Sequence, residues 1–203
     1  MIEHLSDSLL PSPDRYFRSD EHFNALYPPA IRTLSNQHWT PLRIAREAVE
    51  FLGNDDCKVL DIGSGVGKFC LSAARYAPNV SFTGVEQRQY LIQHAEKAQK
   101  ILQIENVTFI NANFTQINLM EYDHFYFFNS FFENLNEDGR IDNHIDYSEA
   151  LYEYYVRYMY KELARAPSGT KIVTYHSLLG EIPRGYELIR STDHGDLKFW
   201  KKL

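Results

Sequence analysis

The sequence predicts an α/β fold: a mostly parallel sheet of about seven strands, helices on both faces, and an antiparallel hairpin at the C-terminal end. Three observations carry this. Short apolar runs alternate with segments of helical period from residue 58 onward. The first of these runs passes straight into three glycines, VLDIGSGVGK at 59–68. The last two runs flank Asp193-His194-Gly195, a turn sequence.

Taken in order, residues 1–19 carry Pro11, Pro13 and Ser/Asp punctuation and read as a mobile arm. Residues 20–36 are helix-like and broken at Pro28-Pro29. Thr40 is placed to act as an N-cap, with Pro41 at the first helical position, where a missing N–H costs nothing. Leu42, Ile44, Ala45, Ala48, Val49 and Leu52 follow at helical spacing, and Gly53 closes that helix. KVLDI (58–62) is a strand of the buried type, KFCLSAARYA (68–77) a helix, and VSFTGVE (80–86) a strand. RQYLIQHAEKAQKIL (88–102) is a two-faced helix and VTFINAN (107–113) a strand, with a short helical turn expected over 115–121. HFYFFN (124–129) is the next strand. Residues 146–165 predict a long helix, with Tyr147, Leu151, Tyr154, Tyr155 and Tyr158 on its core face. KIVTYHS (171–177) is a strand, and YELIRS (186–191) with DLKFWKK (196–202) forms the hairpin. The expected division is an N-terminal arm and helical lid over residues 1–40 and the main domain over 41–203.

Composition bounds the partners. The chain has 203 residues, a formal net charge of -6 and no basic patch, so nucleic acid is disfavoured by long-range repulsion. Cys57 and Cys70 read as buried reduced thiols, and no apolar run is long enough for a signal peptide or membrane span. A cytoplasmic protein without a membrane partner is expected. No spacing of His, Cys, Asp or Glu matches a metal site, and the expected metal is none.

The glycines need a reason. A strand that ends in Gly-x-Gly and feeds a helix brings bare backbone and unpaired N–H groups to one point. In an open parallel sheet, that point lies in the crevice at the carboxyl ends of the strands. Glycines at 63, 65 and 67, followed by Lys68 and Phe69, fit neither G-x-G-x-x-G nor G-x-x-x-x-G-K-[ST]. Asp61 stands two residues before the first glycine. Its carboxylate repels a pyrophosphate and suits a ligand carrying an ammonium or sulfonium charge. Glu86, at the end of the next strand, can accept both hydroxyls of a ribose.

The stretch D-I-G-S-G-V-G, residues 61–67, resembles the first motif of class I S-adenosylmethionine-dependent methyltransferases. The resemblance implies a Rossmann-like methyltransferase domain over 41–203, S-adenosyl-L-methionine as cofactor and methyl transfer as the activity. It implies that Gly63, Ser64, Gly65 and Gly67 lie against the methionine part and the ribose, and that Asp61 helps hold the amino group. It also implies Glu86 at the ribose and Gln87 beside the adenine edge. Asn113 stands where the family often has Asp; it meets the adenine amino group or makes a local turn, while Phe114 offers its face to the ring. Trp39 and Thr40 are placed to close the N-terminal segment over the cofactor, or that segment simply packs; Tyr27 is placed to reach the acceptor.

FYFFNSFFEN, 125–134, marks the acceptor side. Asn129-Ser130-Phe131-Phe132 has the polar start and aromatic end of [DNS]-P-P-[YF] without its prolines. It is faintly similar to the Asn-Asn-Phe stretch of the non-SET histone lysine methyltransferases. Asn129 is the candidate catalytic residue, orienting an amine through its carbonyl oxygen, or it caps the strand. Phe131 and Phe132 flank a cationic centre or continue the core. A neutral amine needs no strong base, so a nitrogen on a protein side chain or small molecule is the expected acceptor. Three alternatives stay open: an aminopropyl transferase with Glu133 and Glu137 as polyamine ligands, a nicotinamide-dependent oxidoreductase, and a cofactor-binding protein without catalysis.

Overall fold

The computed structural model describes residues 12–53, 56–177 and 179–203. The first eleven positions of the expected arm therefore lie outside the described residues. Pro13–Phe17 forms a 3-10 turn whose Asp14 pairs with Arg75 at 2.7 Å. Three short helices, α1 (Asp20–Asn24), α2 (Pro29–Arg32) and α3 (Ser35–His38), lead into α4 (Leu42–Leu52). The chain then runs β1 (Lys58–Ile62), α5 (Lys68–Tyr76), β2 (Ser81–Glu86), α6 (Gln89–Leu102), β3 (Val107–Asn111) and β4 (His124–Phe128). It finishes with α7 (Glu149–Arg165), β5 (Lys171–Tyr175), β6 (Tyr186–Thr192) and β7 (Leu197–Lys202).

These strands form one sheet in the order β3-β2-β1-β4-β5-β7-β6. The first five pair in parallel, and β7 runs antiparallel to both β5 and β6. The final hairpin thus turns inward, and β6 is the edge. Strand order reverses between β1 and β4, which places a crevice beyond their carboxyl ends. The period of two in side-chain direction divides the core into two layers. Val59, Tyr126, Val173 and Phe199 face α4, α5 and α6, whereas Leu60, Ile62, Phe125, Phe127 and Ile172 face α7.

Helix starts differ from expectation where tertiary partners compete for the same groups. Thr40 is not the cap of α4: Pro41 holds that position, and the Leu42 N–H is taken by Asp20 Oδ1 at 2.9 Å. The buried Thr40 hydroxyl instead meets the buried Tyr126 hydroxyl at 2.8 Å. Helix α7 begins at Glu149, because the Ser148 side chain accepts from the Leu151 N–H at 3.1 Å and caps it. Tyr147 therefore precedes the helix. The face that α7 buries is Tyr155, Met159 and Leu163, while Tyr154 is exposed. The turn expected over 115–121 is two 3-10 turns, Phe114–Gln116 and Leu119–Glu121.

The Thr40–Tyr126 contact fastens the N-terminal segment to the middle of the sheet. Thr40→Val leaves the Tyr126 hydroxyl buried without a partner and should cost about 1–3 kcal/mol. At roughly 2–4 °C per kcal/mol for a chain of this size, calorimetry should read a clear fall in Tm. Adding Tyr126→Phe should recover most of the loss; no recovery would mean that the bond is not what Thr40 supplies.

Candidate active site

The turn from β1 into α5 fixes the floor of the site. Gly63 and Ser64 both donate their backbone N–H groups to Val85 O at 3.0 Å, which ties the turn to the end of β2. Gly65 follows with φ +53°, and a Cβ built there meets nothing within 4 Å, so its bare backbone faces open space. Gly67 has a different task. It sits at φ +77°, and a Cβ there would come within 2.4 Å of Phe109. The close packing of α5 on the sheet therefore requires that glycine.

Above the turn lies a cleft of about 310 Å³, bordered by Gly63, Gly65, Glu86, Gln87, Phe114 and Asn129. Beside it, a cavity of about 10 Å³ borders Thr40, Asp61 and Ser64, together with Trp39 and Lys68. The structure brings together most of the sequence-derived site residues around these two spaces. Gly67 and Asn113 border neither. Asn113 caps the 3-10 turn after β3, its Oδ1 accepting from the Thr115 N–H at 3.0 Å. Its amide donates to Gln87 Oε1 at 3.1 Å and to the Tyr155 hydroxyl at 2.8 Å, so it steadies Gln87 at the rim of the cleft.

Two carboxylates are held away from water. Asp61 is buried beneath α5 and accepts from Cys70 Sγ at 3.4 Å. Burial pushes its pKa up from 3.8 to about 8, opposed by the Cys70 hydrogen bond and assisted by repulsion from Glu86. Glu86 is also buried, and burial raises its pKa against the pull of Arg88. One oxygen of Glu86 accepts from Gly65 N–H at 3.2 Å, the other from Arg88 N–H at 2.9 Å. Ser64 Oγ is buried without a hydrogen-bond partner among the described residues. An orphaned hydroxyl, a glycine facing open space and two desolvated acids fit a ligand with an ammonium at one end and a ribose at the other.

On the acceptor side, Asn129 stands at φ 46°, in the left-handed region, and borders the cleft. Ser130 Oγ donates to Ile62 O at 2.5 Å, which pins the exit of β4 against β1. Phe131 is core, stacked on Phe114 with ring centroids 5.0 Å apart, whereas Phe132 is exposed at the cleft. Tyr27 is directed elsewhere: its buried hydroxyl donates to Val66 O at 3.0 Å. His38 also borders both spaces.

Sequence reasoning missed two anchors. Lys68 is buried at the start of α5, and its Nζ donates to Asp20 Oδ1 at 2.5 Å and Asn24 Oδ1 at 2.9 Å. It thereby holds α1 beside the glycine turn. Arg88, also buried, donates to Glu133 at 2.6 Å, to Asp142 at 3.2 Å and to the Tyr147 hydroxyl at 2.7 Å. Glu133 is thus committed to Arg88, and Glu137 pairs with Arg140 at 3.3 Å. Nothing in local spacing signals either anchor, because the partners lie far apart in sequence.

The chain is similar to known proteins. A family model described as a methyltransferase domain matches residues 53–192. A tRNA (guanine-N(7)-)-methyltransferase of Synechococcus sp. (strain JA-3-3Ab) is 35% identical over 96 residues, 47% of this chain and 37% of that protein. A second enzyme so named, from Synechococcus sp. (strain JA-2-3B'a(2-13)), is 44% identical over 54 residues, 27% of this chain and 23% of that protein. The chain therefore spans less than two fifths of the length of either relative. Among solved structures, TrmN from Thermus thermophilus superposes with a TM-score of 0.61 at 16% identity, over 85% of this chain and 52% of that one. An RNA methyltransferase from Salinibacter ruber, in complex with S-adenosyl-L-homocysteine, gives 0.55 at 18% identity, over 81% and 92%. At these identities the two structures establish the fold.

The relatives overturn one expectation from composition. Nucleic acid was disfavoured by a net charge of -6, yet both curated relatives are named for action on tRNA. Long-range repulsion is screened over about 8 Å at physiological salt, and a cleft that reads a single base works by contacts shorter than that. No described helix is long and apolar enough to cross a membrane.

The raised pKa of Asp61 makes a testable claim about stability. The folded state binds this proton more tightly than the unfolded chain does. Stability from the neutral acid is therefore complete below about pH 4 and is lost as pH rises towards about 8. Asp61→Asn, neutral throughout, should flatten that decline and raise the Tm of the ligand-free protein at pH 8 relative to wild type. An unchanged pH profile in the variant would show that Asp61 ionises normally.

Proposed function

The chain belongs to the methyltransferase-domain family, the class I S-adenosylmethionine-dependent methyltransferases, and from that premise we propose that it methylates a ring nitrogen of an RNA base, guanine N7 of tRNA being the acceptor the cleft suits best. The observation that carries this reading is the two-ended cleft. One end has bare glycine backbone and Glu86; the other has Asn129, the exposed Phe132 and the exposed carboxylates of Asp138 and Asp146.

When bound, the cofactor supplies an electrophilic methyl group on a sulfonium. The chain's own residues then divide the remaining work. Glu86 accepts from the ribose hydroxyls, and Asp61 with Ser64 receives the ammonium end. Gln87, steadied by Asn113, meets the adenine edge, and Phe114 covers the ring. On the acceptor side, Phe132 offers a face for a base taken out of its stack. Asn129 orients the base through its side-chain amide.

Guanine N7 carries a lone pair and no hydrogen. It needs no general base. Positive charge moves onto the purine as the N–C bond forms. Asp138 and Asp146 at the mouth stabilise that charge, and a carboxylate can also accept from the guanine N1–H and N2–H groups. An acid-rimmed cleft thus fits a base that becomes cationic, even on a chain of net negative charge. Orientation within about 3–3.5 Å supplies most of the acceleration asked of such a site.

The test is incubation with unmodified tRNA transcript and methyl-labelled S-adenosylmethionine, followed by mass spectrometry of the nucleosides. The expected product is 7-methylguanosine. Label on an added protein fraction, with none on the RNA, would overturn the acceptor assignment. Gly65→Asn places a side chain in the open cleft at a φ that Asn tolerates, so S-adenosylhomocysteine affinity should fall about tenfold or more while the fold persists. Unchanged affinity in that variant would displace the cofactor from the glycine turn.

A further inference from the structure

The loop 129–148, between β4 and α7, has only two short 3-10 turns, Phe132–Asn134 and Glu137–Gly139. Loops of this length without regular structure are usually functional, and they need ties to hold a shape. Here the ties converge on Arg88. Its Nη2 lies 2.6 Å from Glu133 Oε2 and 2.7 Å from the Tyr147 hydroxyl, and its Nε lies 3.2 Å from Asp142 Oδ2. Asp142 is also reached by the Tyr90 hydroxyl at 2.7 Å, and Glu133 Oε2 accepts from Ile141 N–H at 3.1 Å. The same guanidinium approaches Glu86 Oε1 at 3.4 Å, where the Arg88 backbone N–H already donates at 2.9 Å.

This geometry is directional. Strands β2 and β4 are not neighbours, since β1 lies between them. The Arg88 contacts therefore arch from the end of β2, past the glycine turn, to the loop that follows β4. A guanidinium fixes its donors in a plane and meets several carboxylate oxygens at once, which a lysine cannot do. Three carboxylates surround this one buried cation, with side-chain exposures of 4% for Arg88 and 6%, 17% and 14% for Glu86, Glu133 and Asp142. The arrangement holds only while each partner stays in place. Glu86 shares its two oxygens between Gly65 and Arg88, so any ligand that reaches Glu86 acts on the loop through Arg88.

We propose that Arg88 is a positioning residue that couples occupancy at Glu86 to the order of loop 129–148, so that filling the ribose end of the cleft and closing the acceptor side reinforce each other. This rests on the reading of Glu86 as the ribose carboxylate. Coupling of this kind is reciprocal: whatever factor the ligand adds to loop order, loop order returns to ligand affinity.

Hydrogen exchange read by mass spectrometry tests it on the full chain, with and without saturating S-adenosylhomocysteine. In the wild type the ligand should slow exchange of amides in 132–147 about tenfold. In Glu133→Gln and Arg88→Lys that slowing should fall below about twofold, and ligand affinity should drop by a similar factor to the protection lost. A merely structural ion pair would lower Tm in both variants and leave the ligand-induced slowing intact, which overturns the proposal. If Arg88→Lys does not fold, Glu133→Gln and Tyr147→Phe, which leave the cofactor side untouched, carry the same comparison. Ligand binding to the wild type with no response in the loop refutes the coupling alone. Failure of the ligand to bind the wild type refutes the reading of the cleft beneath it.

Discussion

The chain leaves β1 through Gly63, Gly65 and Gly67, all with positive φ, and the positions of the surrounding groups follow from that path. Because Gly63 and Ser64 both bond to Val85 O, the turn lies flat against the end of β2 and brings Gly65 N–H to Glu86. Because Gly67 has no Cβ, α5 can pack against Phe109 and cover Asp61. A side chain at Gly65 would project into the cleft; one at Gly67 would push the helix off the sheet. The first glycine answers to a ligand and the second to the core, although they look alike in the sequence.

A cost in stability accompanies this arrangement. Asp61 and Glu86 are buried close enough to repel one another, and both are disfavoured as carboxylates in the ligand-free protein. An acid kept from water beside an orphaned hydroxyl is a poor way to stabilise a fold and a good way to receive a cation. Lys68 and Arg88 act against the same background. Each is a buried cation that draws a distant segment to the rim, α1 in one case and the loop 129–148 in the other. The walls of the cleft are thus held by charge pairs and its floor by backbone hydrogen bonds.

Much of this was legible in the sequence. The seven strands, the parallel pairing of the first five and the terminal hairpin follow from hydrophobic period and turn residues, whereas the strand order is seen only in the structure. The glycines, Asp61 and Glu86 stand within residues 61–86, and the glycine spacing matches neither the dinucleotide nor the phosphate-loop pattern. The errors have a common cause. Thr40 was placed as a cap because capping is a local rule, but the hydroxyl of Tyr126, 86 positions away in sequence, took it. The start of α7 was set too early because the aromatic period continues through Tyr147, which the Arg88 cluster claims instead. Asn113, open in the sequence between the adenine and a local turn, makes the turn and also bonds Gln87. The disfavouring of nucleic acid rested on net charge, which reports only on the far field, whereas the curated relatives are named for action on tRNA.

In the proposed site the buried Asp61, its pKa raised to about 8, gives up its proton to receive the ammonium of an adenosyl amino acid. Isothermal titration with S-adenosylhomocysteine at pH 7, repeated in buffers of different ionisation enthalpy, measures this directly. The expected result is binding with release of about one proton per site at pH 7, the release falling as the pH rises through about 8. Binding without proton release at pH 7, or a preference for NAD over S-adenosylhomocysteine, would contradict it.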